Sequence, residues 1–151
     1  MSPIQSFQIL LADDDEDDTF LFQEALAQIP VTTDLTTADN GMELMKKLSG
    51  ATDIPDLIFL DVNMPVKNGL ECLAEIRDTA RFSQTPVVIL STSIAENLLE
   101  SAFRGGANLY IQKPTSFSSL ISIIQKCILQ REELLPGRDL EQFLIKNSSS
   151  K

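Results

Sequence analysis

Leu57-Ile58-Phe59-Leu60 is a run of four apolar side chains without alternation, fenced by Pro55 and Pro65 and closed by Asp61. A strand with one wet face alternates polar and apolar residues, whereas an unbroken apolar run suits a strand buried on both faces. The chain therefore needs a sheet with a layer packed on either side. A carboxylate that ends such a strand must face a polar crevice, because burying it unpaired is too costly. A turn aspartate that merely ends a strand is the ordinary reading of one such residue. What the other segments bring beside Asp61 decides between the two.

Phe7 to Ala12 is a short apolar strand, followed without a break by Asp13-Asp14-Asp15-Glu16-Asp17-Asp18. Phe20, Leu21, Ala25, Leu26 and Ile29 then recur at helical spacing. Acids that open a helix are stabilised by its dipole, which assigns Asp15, Glu16, Asp17 and Asp18 to a solvated helix terminus. Asp13 and Asp14 sit nearer the strand and are open to a second role. Val31 to Ala38, rich in β-branched residues, predicts strand two, and Met42, Leu44, Met45 and Leu48 predict a helix that stops near Gly50. Beyond Asp61, Met64-Pro65-Val66-Lys67-Asn68-Gly69 has turn chemistry, and Leu70, Leu73, Ala74 and Ile76 resume helical spacing. Pro86 to Leu90 is another buried strand and hands over to Ser91-Thr92-Ser93. Leu98, Leu99, Ala102 and Phe103 mark a helix stopped by Gly105-Gly106. Asn108 to Gln112 predicts strand five, ending at Lys113-Pro114. Phe117, Leu120, Ile121, Ile124 and Ile128 give the longest amphipathic helix, closing before Pro136-Gly137.

Five strands alternating with five helices predict an open parallel α/β sheet, doubly wound, with helices on both faces. Ligands of such sheets bind in the crevice outside the C-terminal ends of the strands. Asp13 and Asp14 follow strand one, Asp61 ends strand three, Ser91 ends strand four and Lys113 follows strand five. Singly, Ser91 reads as a cap, Lys113 as a solvated charge and Tyr110 as core; their joint placement along one edge argues for a site.

Composition narrows what that site can do. Twelve basic against twenty-two acidic residues give a formal charge of −10, which repels nucleic acid and anionic lipid and favours cations or a basic partner surface. Histidine is absent, which excludes a Ser-His-Asp hydrolase, a zincin and any mechanism whose phosphate carrier is the protein's own histidine. Cys72 and Cys127 both fall in helical patterns and are expected to be free thiols in a reducing cytoplasm. The first residues lack the basic region of a signal peptide, and no run is long enough to span a bilayer, so a cytoplasmic location is expected.

Three carboxylates converging on one crevice repel one another; two charges about 4 Å apart at an effective dielectric near 20 cost about 4 kcal/mol. A bound cation relieves that. An all-oxygen, histidine-free site suits magnesium, or manganese, better than zinc. Lys113 adds a charge able to hold an anionic oxygen, and the Ser91 hydroxyl can donate to another. The set suits phosphoryl transfer with Asp61 as nucleophile, forming an acyl phosphate.

The same residues in the same order resemble the receiver domain of two-component response regulators. The resemblance runs from about Phe7 to about Leu135. It rests on Asp-Asp after strand one, Asp-x-x-Met-Pro-x-x-x-Gly from Asp61 to Gly69, Ser91 at strand four and Lys113-Pro114 after strand five. Spacing and the Leu-Ser-Thr-Ser segment look most like the stand-alone regulators of the phytochrome-response type. The resemblance implies a flavodoxin-like three-layer sandwich with strand order 2-1-3-4-5. It also implies Asp61 as phosphoacceptor, with Asp14 and Asp61 on the metal, Asp13 acting mainly through water, and the Asn63 backbone carbonyl completing the protein ligands. Asp15 is a third consecutive acid; the pair is set at Asp13-Asp14 because the family's pair begins directly after the strand. By the same resemblance Lys113 contacts the phosphoryl group, Ser91 is the switch hydroxyl in place of the commoner threonine, and Tyr110 is the aromatic that moves with it. Asn63 and Ser93 stand where the family tunes the phosphoryl lifetime, and the Lys113-Pro114 bond is expected to be cis.

The implied task is to take a phosphoryl group from the phosphohistidine of a sensor kinase or phosphotransfer protein. A downstream protein would then read the face made by helix four, strand five and helix five. Slow self-dephosphorylation would be the only catalysis. The domain is placed at residues 1–135 and a C-terminal extension at 136–151, where Leu140, Phe143 and Leu144 predict a short helix before a disordered tail. That stripe suits packing on its own domain or, as a sharper alternative, a homodimer contact. Among rivals, a haloacid-dehalogenase-type phosphatase wants a second Asp where this chain has Asn63, and an FMN binder wants a Ser/Thr-rich loop where it has Asp13 to Asp18. A receiver-like interaction module that is never phosphorylated is the strongest alternative.

Overall fold

The computed structural model describes residues 6–130 and 143–146. Strands β1 (Phe7–Ala12), β2 (Thr33–Ala38), β3 (Leu57–Asp61), β4 (Val87–Ser91) and β5 (Leu109–Gln112) alternate with helices α1 (Glu16–Ala27), α2 (Gly41–Gly50), α3 (Gly69–Asp78), α4 (Glu96–Arg104) and α5 (Phe117–Leu129). A 3-10 turn at Ala80–Phe82 precedes β4, and a two-residue strand β6 (Leu144–Ile145) follows α5. All pairings are parallel, in the order β2-β1-β3-β4-β5-β6. No described helix is long and apolar enough to cross a membrane.

The period of two along each strand divides the core into two halves. Leu10, Ala12, Ile58, Leu60, Val87, Ile89 and Tyr110 face α2, α3 and α4 through Leu44, Leu48, Leu73, Ile76 and Ala102. Ile9, Leu11, Leu57, Phe59, Val88, Leu90 and Ile111 face α1 and α5 through Phe22, Leu26, Ile124 and Ile128. Phe59 meets Phe22 edge-on, ring centroids 5.0 Å apart. The unbroken apolar run of β3 is thus fully buried on both sides.

Caps fix where the helices begin. The Asp15 carboxylate accepts from the backbone N–H groups of Asp17 and Asp18, Asn40 caps α2, Asn68 and Glu71 form a reciprocal capping box on α3, and Ser116 caps α5. Arg77, at the end of α3, ties the far side together. Its guanidinium donates to the carbonyls of Gly106, Phe82, Ser83 and Thr85 and to Oδ1 of Asn108, which also accepts from the Val87 N–H.

Several expectations need correction. The sheet has six strands rather than five, because Leu144 and Ile145 pair with Tyr110 and Ile111 on the β5 edge; Leu144 is a strand residue, not a helical one. Leu140, the 135/136 boundary, the tail beyond 146 and any continuation of α5 toward Pro136 lie outside the described residues. On α1 and just beyond it the buried stripe is Phe22, Ala25, Leu26 and Ile29; Phe20 lies off that 3.6-residue phase and faces solvent, while Leu21, four residues before Ala25, sits on the edge of the stripe at the rim of a cleft and stays 43% exposed. Met42 and Phe117 are likewise exposed. The chain around Lys113-Pro114 is trans, since no cis peptide bond occurs among the described residues; a tertiary amide leaves the isomers within about 1 kcal/mol, and trans is the ground preference.

Arg77→Met is expected to destabilise the fold by about 2–4 kcal/mol, since it strips a charged donor from several half-buried acceptors at once. Arg77→Lys should recover only part, as a point charge lacks the fork geometry. A lower urea midpoint with unchanged slope would confirm this, and a midpoint equal to wild type would refute it.

Candidate phosphoacceptor and metal site

Strand register assembles the site. Ala12 pairs with Leu60, so Asp13 and Asp61 are the next residues on neighbouring strands. Asp61 lies opposite Leu90 and Ser91 opposite Gln112, so each C-terminal step across the sheet advances by one residue, to Ser91 and then to Lys113. Two backbone bonds extend the ladder to the site: Asp13 N–H donates to the Ala38 carbonyl at 3.0 Å, and Lys113 N–H to the Ser91 carbonyl at 2.8 Å.

Asp13 and Asp61 are buried, at 3% and 6% exposure, and Asp14 is exposed. Carboxylate oxygens of Asp13, Asp14 and Asp61 lie within 4.8 Å of one another, close enough to share one ion. An oxygen-only donor set of this charge, partly open to water, fits a hard divalent cation. The Lys113 ammonium enters the same pocket, 3.1 Å from Asp13 Oδ2 and 3.2 Å from Asp61 Oδ2. It also reaches Asp18 Oδ2 at 2.7 Å. Asp61 Oδ1 accepts from the Asn63 N–H at 3.2 Å, and Asp13 Oδ1 from the Asp15 N–H at 3.0 Å.

Asp18 corrects the expectation that it belongs only to a solvated terminus. A signal for it was present: Asp18 lies four residues before Phe22 and seven before Ala25, on the N-terminal continuation of the buried stripe of α1. Asp15 does serve as the helix cap, which leaves Asp13 and Asp14 as the acids of that run in the carboxylate cluster with Asp61.

The loop after Asp61 is tightly constrained. Lys67 N–H donates to the Pro65 carbonyl across Val66, a γ-turn in which Val66 adopts φ 69°. That strained, left-handed conformation is rare for a β-branched residue. It aims the Lys67 carbonyl at Gly41 N–H, 3.2 Å away, and so ties the loop to α2. A Cβ on Gly69 would stand 2.3 Å from the Asp61 carbonyl oxygen; glycine is what lets α3 begin directly against the strand that carries Asp61.

On β4 and β5, Ser91 and Tyr110 are both fully buried. The Ser91 Oγ accepts from the Ser93 N–H at 3.1 Å, and the Tyr110 hydroxyl donates to the Ser93 carbonyl at 2.7 Å. Ser93 therefore links the two by both sides of its backbone. Phe143, just before β6, lies against Tyr110 and Phe103, with ring centroids 6.2 and 5.1 Å away. Asn63 is exposed and Ser93 half-buried.

The electrostatics follow the geometry. Burial pushes the Asp13 carboxyl up to about 6, against the Asp15 N–H and the Lys113 charge, which pull it down. For Lys113, burial disfavours the ammonium, but the bond it donates to Asp18 and the charges of Asp13 and Asp61 outweigh it and hold the group above its ordinary value. Burial likewise raises the Tyr110 phenol, opposed by a hydrogen bond with Ser91.

A parallel, doubly wound sheet carrying three carboxylates and a lysine at the ends of β1, β3 and β5 defines a receiver-type domain. The chain belongs to the response regulator receiver domain family, whose model matches residues 9–125, and is thus a receiver domain of two-component systems. It is 32% identical to the response regulator Rcp1 of Synechocystis sp. over 122 residues, covering 78% of this chain and 83% of Rcp1. Among solved structures, the phosphorylated cyanobacterial phytochrome response regulator RcpA superposes with a TM-score of 0.76 at 37% identity, covering 83% of this chain and 93% of RcpA. The Mn(2+)-bound form of Rcp1 gives a TM-score of 0.73 at 30% identity, covering 86% and 99% of the two chains.

The raised Asp13 value gives a pH dependence. A carboxyl held more tightly protonated in the fold than the ordinary 3.8 stabilises the metal-free fold below that value, and this contribution is lost as pH rises through about 6. A divalent cation shared by these carboxylates would have to displace the same proton, so affinity for such a cation is expected to rise by up to about tenfold per pH unit toward pH 6 and to level off above it. Calorimetric titration of wild type beside Asp13→Asn checks this; equal slopes in the two proteins would refute it.

Proposed function

We propose that Asp61 is the phosphoacceptor of this receiver domain and takes its phosphoryl group from a phosphohistidine on a kinase or phosphotransfer partner. The observation that carries the reading is the Lys113 ammonium 3.2 Å from the Asp61 carboxylate, in the pocket that Asp13 and Asp14 share. An Asp61 oxygen attacks phosphorus, the phosphorus–nitrogen bond breaks, and the imidazole leaves. Lys113 moves from carboxylate to phosphoryl oxygen and offsets the charge gained. Asp14 and Asp61, the Asn63 carbonyl, and Asp13 through water are the residues that would hold magnesium or manganese. The metal, when bound, supplies neutralisation of carboxylate and phosphoryl oxygens. Asn63 and Ser93 flank this space and are assigned to setting how fast water removes the phosphoryl group.

The readout follows from Ser93. When the Ser91 hydroxyl turns to a phosphoryl oxygen, the Ser93 N–H loses its acceptor and the β4–α4 loop is drawn in. Tyr110, hydrogen-bonded to the Ser93 carbonyl, then shifts with it. The face of α4, β5 and α5, which a downstream protein would read, here also carries β6 and Phe143. Phe143 is buried within its own chain, which favours the intramolecular reading of the apolar C-terminal stripe over a dimer contact.

With a small phosphodonor and magnesium, wild type is expected to gain the mass of one phosphoryl group and Asp61→Asn none. Equal labelling of both would put the phosphoryl group on another residue and refute Asp61 as acceptor, and labelling of neither would leave the unphosphorylated interaction module as the better account. Loading with beryllofluoride and magnesium is expected to move the amide resonances of Ser93, Tyr110 and α4. Shifts confined to Asp13, Asp14 and Asp61 would show that the site does not drive the face.

A further inference from the structure

Lys113 has three carboxylate partners, and its shortest contact is with the one outside the metal cluster. Asp18 is 2.7 Å away, against 3.1 Å for Asp13 and 3.2 Å for Asp61. The cluster of carboxylates able to share an ion consists, among the described residues, of Asp13, Asp14 and Asp61. Asp13 and Asp61 are therefore claimed twice, by an ammonium and by a divalent cation, and those two positive charges repel. Asp18 is claimed only by the ammonium.

Its placement is fixed. The Asp15 cap accepts from the Asp18 N–H, which anchors the residue in the first turn of α1, and the apolar stripe of that helix turns its side chain toward the sheet edge. Asp13, Asp18 and Lys113 line one cleft, floored by Leu11, Phe22 and Leu90. On the other side, Lys113 is held through its own N–H on the Ser91 carbonyl. The lysine thus spans from β4 to α1 with its ammonium between the metal carboxylates and Asp18.

We propose that Asp18 is a positioning residue for Lys113, retaining the ammonium when Asp13 and Asp61 turn to the metal and keeping it within reach of the phosphoryl oxygens. The first half, relief of competition between lysine and metal, stands independently of phosphorylation; the second rests on Asp61 as acceptor. Without Asp18 the ammonium has only Asp13 and Asp61 to hold, and it contests the metal for both.

Magnesium titration by calorimetry, with no phosphodonor present, tests the first half on Asp18→Asn, Asp18→Glu and Asp17→Asn. Asp17 is an exposed acid in the same turn and controls for loss of one charge. Asp18→Asn is expected to weaken magnesium by about fivefold, within the range of measured pair couplings. Asp17→Asn is expected to cost at most about twofold, as exposed charges do, and Asp18→Glu should restore most of the affinity. In a Lys113→Ala background, Asp18→Asn should do no more than Asp17→Asn. If Asp18→Asn and Asp17→Asn weaken the metal alike, or the Asp18 effect survives intact without Lys113, the residue acts only through its charge and the proposal fails. At saturating magnesium, Asp18→Asn should also slow labelling by a small phosphodonor, with Asp18→Glu restoring the rate; an unchanged rate overturns the second half. Should wild type take no label at all, the Asp61 reading falls while the metal titration still decides the role of Asp18.

Discussion

Two buried carboxylates set side by side are the constraint around which this fold is arranged. The pairing of Ala12 with Leu60 makes Asp13 and Asp61 neighbours at the end of an apolar sheet, where neither can be left without compensation. The Lys113 ammonium supplies it, and can do so because β4 and β5 end on one rung, Ser91 opposite Gln112, which puts Lys113 one step past the sheet edge. Strand lengths, register and the order β2-β1-β3-β4-β5 are thus bound to one local electrostatic requirement. The glycine at position 69 belongs to the same region, since α3 starts directly against the Asp61 carbonyl, where a side chain would not fit.

What the sequence made legible tracks how strongly burial dictates each segment. Leu57 to Leu60 and Val87 to Leu90 are apolar throughout because both faces are covered, and such runs read as central strands without help from context. Edges are harder. Strand β2 is only half-buried and starts at Thr33 rather than Val31, and Leu144-Ile145 is too short to carry any period. The site residues on strand ends were visible because a carboxylate, a hydroxyl or an amine interrupts an apolar run there. Asp18 was not, because six consecutive acids at a helix start have a sufficient local explanation in the dipole and the cap. Only the phase of the buried stripe separates it from Asp17. Phe20 misled for the same reason, since phase rather than apolar character decides which helix residues reach the sheet.

The described C-terminal residues change what surface this receiver presents. Strand β5 would otherwise be the sheet edge, with unpaired backbone groups of the kind that recruit other chains. Strand β6 covers part of it, and Phe143 fills the space over Tyr110 and beside Phe103. Tyr110 is consequently enclosed from both sides, by the core beneath and by Phe143 above. The edge strand and the aromatic are thus joined both by backbone pairing and by ring contact.

A switch needs two states that are each satisfied, since a half-satisfied polar pocket would simply be unstable. Without metal or phosphoryl group, this pocket meets that condition: Lys113 bonds three carboxylates, the Ser91 oxygen accepts from Ser93, and Tyr110 donates to the Ser93 carbonyl. No buried side-chain nitrogen or oxygen among the described residues lacks a partner. In the proposed phosphorylated state Lys113 would keep Asp18 and exchange Asp13 and Asp61 for phosphoryl oxygens, the Ser91 hydroxyl would take another, and the released carboxylates would turn to the metal. In the proposed reading, chemistry at Asp61 would reach β5 through Ser93, whose backbone joins the Ser91 oxygen to the Tyr110 hydroxyl.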